Sequence, residues 1–282
     1  MAHSFAADTI APMPDDIFVE IAELARTEAG LMIPDHKRPL IQSRLTRHLR
    51  QLGLTDFHAY LDHLKTSPDG ADLGVMIATL TTNVSDFFRE KHHYKMFAET
   101  LLPQLLQRAQ EGDSVRIWSA GCSSGQEPYS VAMMILDEAP NALSLDLKIL
   151  ATDIDRPVLA KAREGTYDRD QLNRVPRPWV ERFFTPKEGD EKAFEVSQDL
   201  RDLITFNCLN LIDPWPMQSQ FDVIFCRNVV IYFTPDVQTS LFPRLRKALT
   251  LGGTLFLGHS ERIADPDKVY FRPSGVTAYT AI

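Results

Sequence analysis

Cysteine is scarce in this chain. The three present, Cys122, Cys208 and Cys226, are odd in number and widely spaced. That excludes a disulfide framework or a zinc cage and points to reduced thiols in a cytosolic protein. No apolar run approaches the roughly 20 residues needed to span a bilayer. The start, MAHSFAADTI, lacks a basic segment followed by an apolar one, so no secretory leader is expected. Internal repeats and low-complexity tracts are missing. Positive charge is not in excess either: the net charge of −8 argues against general nucleic-acid binding. The doublet His92-His93 begins a helical stretch without a partner ligand motif, so no metal is expected.

What is there suffices for two domains. The chain has 282 residues, 44% of them hydrophobic, enough for a large core. Its charge is uneven. Residues 1–30 carry six acids against Arg26, whereas residues 34–52 carry Lys37, Arg38, Arg44, Arg47 and Arg50 against Asp35. A basic patch on an acidic protein suggests one acidic partner surface. Residues 1–14 read as a loose tail. Helices follow from Asp15 to about Ala29, from about Pro39 to Leu52, around Phe57–Leu64, and from about Ala71 to Leu80, with SPDG at 67–70 as a turn. On the second helix Ile41, Leu45, Leu49 and Leu52 form an apolar stripe, and Arg44, Arg47 and Arg50 climb the other side.

A helix from about Lys91 to Gln110 comes next, kinked or split at Pro103. Then strands near 115–119, 147–152, 203–207, 221–226 and 253–258 alternate with helices near 129–138, 157–163 and 235–249. A terminal strand pair follows from about 268 to 281. Such alternation implies a parallel sheet with right-handed crossovers. Residues 165–202 break the rhythm and read as a small β insertion. The expected division is a helical domain at 1–75, a linker and covering helix at 76–112, and a ligand-binding domain at 113–282.

The most informative stretch is VRIWSAGCSSGQEPYS, residues 115–130. A strand runs into a turn of small residues and on into a helix, which lets a ligand approach the backbone at the carboxyl end of a strand. The next strand ends on Asp153, the usual position of a ribose clamp. A nucleoside-containing cofactor is implied. Dinucleotide sites favour G-x-G-x-x-G with the pyrophosphate on the helix N-terminus. Here the glycines are Gly121 and Gly125, and Glu127 stands at the helix entrance. A carboxylate there competes with a pyrophosphate and suits a ligand with a cationic amino group, such as S-adenosylmethionine. The plain alternative is that Glu127 only caps its helix. Cys122, in the turn, reads as a small residue that fits.

Five motifs then stand in order: TNVSDFFRE, SAGCSSGQEPYS, ATDID, FDVIFCRNVVIYF and FLGHSE. Together they resemble the chemotaxis receptor glutamate methyltransferases, the CheR family, over nearly the whole chain. The resemblance implies a class I S-adenosylmethionine-dependent methyltransferase fold: α/β, Rossmann-like, with a mostly parallel sheet, an antiparallel last strand, a small N-terminal helical domain and a small β insertion. It also implies cofactor contacts at Asn83, Ser85, Arg89, Gly121, Glu127, Asp153, Asn210, Leu211, Asn228 and Val229. Asn207, nearby, reads as a turn residue instead. Tyr232 is expected nearest the transferred methyl, with Arg89 and Arg227 as the other catalytic candidates. Arg227 is open to either a substrate carboxylate or a neighbouring acid. His259 and Glu261 read as holding a loop together.

The implied reaction forms glutamate methyl esters on chemoreceptors and leaves S-adenosylhomocysteine. A glutamate is already ionised near pH 7, so it needs neither a general base nor a metal. Arg44, Arg47 and Arg50 suit an acidic receptor helix, and the β insertion could take a receptor C-terminal peptide. The expected protein is a cytoplasmic monomer without membrane insertion. The rival readings are another S-adenosylmethionine-dependent methyltransferase and a nucleotide-dependent oxidoreductase on a Rossmann-like fold.

Overall fold

The computed structural model describes residues 10–67, 70–81 and 83–282. The expected turn at 67–70 lies partly outside them, as does most of the expected tail. The chain divides into two units. One runs to residue 82 and takes in Tyr232–Thr234; the other holds 83–231 and 235–282.

The first unit is helical: α1 (Asp15–Ala29), α2 (Arg38–Gln51), α3 (Phe57–Thr66) and α4 (Ala71–Leu80). Its core includes Leu45 and Leu49 of the predicted α2 stripe together with Ile21 of α1 and Tyr60 of α3. Gly30, at φ +68, ends α1 by donating to Ala25 and Arg26 carbonyls. Met13 is buried and its N–H donates to Gln42 Oε1, so the segment before α1 is anchored there rather than loose. Tyr232–Thr234 joins this unit, with Tyr232 ending a 3-10 turn and Phe233 bridging Leu31. Met32 N–H donates to the Tyr232 carbonyl at 2.8 Å and Thr234 N–H to the Gly30 carbonyl at 2.9 Å.

The second unit begins with α5 (Lys91–Met96), a π-helical turn at Phe97–Leu101, and α6 (Leu102–Gln110). Pro103 falls in the first turn of α6, where its missing N–H costs nothing, and the wide turn ahead of it accommodates its ring. Then come β1 (Val115–Ala120), α7 (Gln126–Glu138), β2 (Leu147–Asp153) and α8 (Arg156–Glu164). The insertion follows, with β3 (Thr166–Asp168), α9 (Arg177–Phe183), β4 (Phe184–Lys187), β5 (Asp190–Val196) and α10 (Gln198–Asp202). It builds a separate three-stranded sheet in the order β3-β5-β4. The chain ends with β6 (Ile204–Cys208), β7 (Phe221–Cys226), α11 (Pro235–Ala248), β8 (Leu249–Leu257), β9 (Phe271–Gly275) and β10 (Ala278–Ala281).

The large sheet has the order β6-β2-β1-β7-β8-β10-β9. Its first five strands are parallel, and β10 runs antiparallel to both of its neighbours. β7 is buried at every position, as a central parallel strand should be. The order reverses between β1 and β7, so the carboxyl ends of β1, β2 and β7 open on the crevice where such sheets bind ligands. Three local expectations fail. α7 starts at Gln126, three residues early, because Pro128 fits a first helical turn rather than preceding one. β8 starts at Leu249, before the expected 253, with a register shift between Phe221↔Leu249 and Val223↔Thr254 that spans Gly252–Gly253. Asn207 lies in β6 opposite Thr152, not in a turn.

Candidate cofactor site

The turn after β1 is folded back on β2. The N–H groups of Gly121 and Cys122 both donate to the Thr152 carbonyl, at 2.7 and 2.9 Å. Gly121 has φ +85, and a Cβ there would stand 2.2 Å from Val229 Cγ2. Only glycine allows both the conformation and the approach of Val229. Ser123 N–H donates to Asp153 Oδ2 at 2.8 Å, and Asp155 N–H to Asp153 Oδ1 at 3.0 Å. Asp153 is thus oriented by the backbone at the end of β2, each oxygen keeping a further lone pair. Burial raises its carboxyl above the ordinary aspartate range, against those N–H donors. Cys122 is buried and its thiol is pushed up by the same desolvation, so it is a packing residue without thiolate character.

Glu127 does more than favour a helix end. Its side chain is buried, Oε1 accepting from Ser119 Oγ at 2.6 Å and Oε2 from Arg227 Nη1 at 2.9 Å. Burial raises this carboxyl, and the Arg227 guanidinium opposes the rise. Arg227, at the end of β7, is therefore paired with neighbouring acids. Its Nη2 lies 3.4 Å from Glu90 Oε2 and donates to the Arg89 carbonyl, and the guanidinium lies over the Tyr94 ring at 5.5 Å. Asn228 takes φ +60 and donates its N–H to Glu261 Oε2 at 2.9 Å. Glu261 also accepts from Gly258 and Ile231 N–H groups, so it clamps the loop as the sequence suggested.

The segment from Asn83 to Glu90 lies against the same turn. Asn83 Nδ2 donates to Asp155 Oδ2 at 2.6 Å, and Ser123 Oγ donates to the Asn83 carbonyl at 3.1 Å. Phe87 is fully buried against Tyr167 and Phe184, and Phe88 packs on Tyr94 and Trp179. Ser85 and Arg89 between these anchors are half-buried, with Arg89 Nη1 donating to the Val84 carbonyl at 3.0 Å. Asn210 and Leu211 follow β6, where Leu209 N–H donates to the Asp153 carbonyl at 3.0 Å. Arg244 holds their loop from α11, donating to the carbonyls of Leu211, Ile212 and Asp213 with its guanidinium 4.3 Å from the Trp215 ring.

Around the strand ends Glu127 is paired with Arg227, Gly121 packs against Val229, and Asn83 and Asp153 are linked through Ser123 and Asp155. Sequence reasoning missed Glu90 and Arg244. Glu90 ends the FFRE motif but has no pattern to mark it, and Arg244 reads as an ordinary helix cation. Arg44, Arg47, Arg50 and Tyr232 belong to the helical unit. Arg44 Nη1 donates to the carbonyls of Thr79, Leu80 and Thr81, closing the C-terminus of α4, so it is not a free member of a basic stripe. Arg47 and Arg50 are exposed and line a groove of about 490 Å³ with Ser43, Thr46 and Gln51. Tyr232 is half-buried in the segment paired with Met32. Glu90, His92 and His93 bring ligand atoms within 4.8 Å of one another. The Arg227 guanidinium on the same Glu90 carboxylate opposes a metal cation there.

Residues 83–280 match the family described as CheR methyltransferase, SAM binding domain, and residues 16–81 match that described as CheR methyltransferase, all-alpha domain. The chain is 44% identical over 254 residues to a probable chemotaxis protein methyltransferase of Rhizobium etli, covering 90% of this chain and 95% of that protein. It is 37% identical over 269 residues to the chemotaxis protein methyltransferase of Escherichia coli, covering 95% of this chain and 91% of that one. It is also 37% identical over 265 residues to chemotaxis protein methyltransferase 2 of Pseudomonas aeruginosa, covering 93% and 92%. No helix among the described residues is long and apolar enough to cross a membrane.

Proposed function

Because this chain belongs to the CheR methyltransferase family, and is an S-adenosylmethionine-dependent methyltransferase, we propose that it esterifies glutamate side chains of chemoreceptors. The observation that carries the reading is the buried Glu127, fixed by Ser119 and Arg227, together with Asp153 held by the Ser123 N–H at the end of β2. Carboxylates outnumber guanidinium groups around these strand ends, which fits a cofactor that is cationic overall and would repel a pyrophosphate. When bound, the cofactor supplies a methyl group made electrophilic by a sulfonium.

The chain's own residues then bind and orient. In this reading Asp153 takes the ribose hydroxyls, Asn210 and Leu211 flank the adenine, and Glu127 takes the amino-acid end together with Asn83, Ser85, Arg89, Asn228 and Val229. Arg227 acts through Glu127 and the Arg89 backbone rather than on the substrate. Arg89 and Tyr232 orient the incoming carboxylate, which needs no deprotonation near neutral pH. Positioning at near-contact distance is the main contribution, of the order of 7–11 kcal/mol. Arg47 and Arg50 face the acidic receptor helix. The β3-β5-β4 sheet is the proposed dock for a receptor C-terminal peptide, and the enzyme works as a cytoplasmic monomer.

Calorimetry with S-adenosylmethionine, then transfer of labelled methyl to receptor-containing membranes, tests the whole. The product should release labelled methanol in mild alkali, as an ester does. Alkali-stable label would exclude a methyl ester and overturn the glutamate assignment.

A further inference from the structure

The β insertion reaches the cofactor turn through one side chain. Tyr167, the middle residue of β3, is buried at 2% exposure. Its hydroxyl donates to the Ser124 carbonyl at 2.7 Å. That carbonyl stands just ahead of α7, and the N–H four residues on, which would continue a helical ladder, is missing because that residue is Pro128. Tyr167 brings the missing donor from another part of the chain. Desolvation holds its phenol well above the ordinary range, so the hydroxyl keeps its proton and remains a donor. The approach depends on Gly125, whose φ is +94 and where a Cβ would stand 2.9 Å from that hydroxyl.

The Tyr167 ring is placed as firmly. It meets Phe87 edge-on at 4.9 Å between centroids, and Tyr129 at 6.1 Å. Phe87 belongs to the Asn83–Glu90 segment and Tyr129 to α7. That segment is tied to the turn and to α7 by two further bonds. Ser123 Oγ donates to the Asn83 carbonyl at 3.1 Å, and the Phe88 N–H donates to Ser130 Oγ at 3.1 Å. Phe87 also meets Phe184 of β4 at 5.8 Å, and Phe88 meets Trp179 of α9 at 5.6 Å. The insertion thus touches both the turn after β1 and the segment that lies against it.

We propose that Tyr167, carried by the β insertion, is a positioning residue for the cofactor: its hydroxyl fixes the end of the small-residue turn at the entrance to α7, where Glu127 stands. The proposal rests on S-adenosylmethionine being the cofactor. Tyr167 acts through the turn, away from the residues assigned to the incoming carboxylate, so cofactor affinity should respond and the transfer rate should not. Tyr167→Phe keeps the ring and removes the hydroxyl. In receptor methylation its KM for S-adenosylmethionine should rise about fivefold, as the loss of one hydrogen bond implies, with kcat within about twofold of the unmodified chain. A melting curve checks the fold of the variant. Hydrogen exchange of the unmodified chain gives a second reading that needs no variant. Saturating S-adenosylmethionine should slow the amides of β3 and β5 along with those of residues 120–125. A folded Tyr167→Phe with unchanged KM, or one in which kcat alone falls, overturns the proposal, and so does cofactor protection that stops short of β3 and β5. Failure of the unmodified chain to bind S-adenosylmethionine in calorimetry would instead remove the cofactor reading, and the proposal with it.

Discussion

At the scale of single residues, the site depends on charges and backbone shapes that are costly outside their setting. Burial favours the neutral form of Glu127, and Ser119 and Arg227 oppose that shift. Glu127→Gln should lower S-adenosylmethionine affinity by at least about tenfold in calorimetry, since a buried charge partner is lost. Its raised carboxyl also sets a sign. As pH falls, affinity should begin to decline above the range in which an ordinary glutamate protonates, because protonated Glu127 no longer attracts a cation. Gly121 makes the complementary point about space. Gly121→Ala puts a Cβ 2.2 Å from Val229 Cγ2 at φ +85. It should destabilise the fold by about 1–3 kcal/mol in denaturant titration and weaken the cofactor, because the turn must shift.

Among elements, α2 shows how one face can divide its work. Arg44, Arg47 and Arg50 are equivalent by spacing, yet Arg44 is spent on three carbonyls at the end of α4. Arg44→Ala should lower the melting temperature, with a loss of about 1–2 kcal/mol. The double charge reversal Arg47→Glu with Arg50→Glu should leave both melting temperature and S-adenosylmethionine affinity near those of the unmodified chain while reducing receptor methylation severalfold. Unchanged receptor kinetics would remove this face from the receptor contact. The helices themselves were legible because their apolar spacing survives intact in α1 to α4. The start of α7 was not, because a proline reads the same before a helix as inside its first turn.

For the molecule as a whole, one buried group ties stability to pH. His93 is almost fully buried against Phe256, Val276 and Thr277 and titrates at about 4, against an ordinary 6.5. Between those values the unfolded chain binds the proton and the folded chain does not, so stability falls as pH drops through that window. The share of His93 in that loss should reach roughly 3 kcal/mol by pH 4, read by denaturant titration as the difference between the unmodified chain and His93→Gln, because the raised carboxyls of Glu127, Asp153 and Glu261 act with the opposite sign. Saturating cofactor acts in the opposite direction, adding about 2.7 kcal/mol at a hundredfold excess over Kd. The assignment of Tyr232–Thr234 to the helical unit had no signal along the chain. Pairing with Gly30 and Met32 is a contact across some two hundred residues, and no local pattern encodes its partner.

By itself the sequence determined the alternation of strands and helices, the small-residue turn after β1, and the residue types at the strand ends, because periodicity and composition act over a few residues. The motif order further determined the family. Tertiary structure alone decided which charges meet. It gave Arg227 to Glu127 and Glu90, gave Arg44 to the carbonyls of α4, and turned Glu127 inward to Ser119. An ion pair is settled by distance and desolvation, and both exist only once the strands have closed around it.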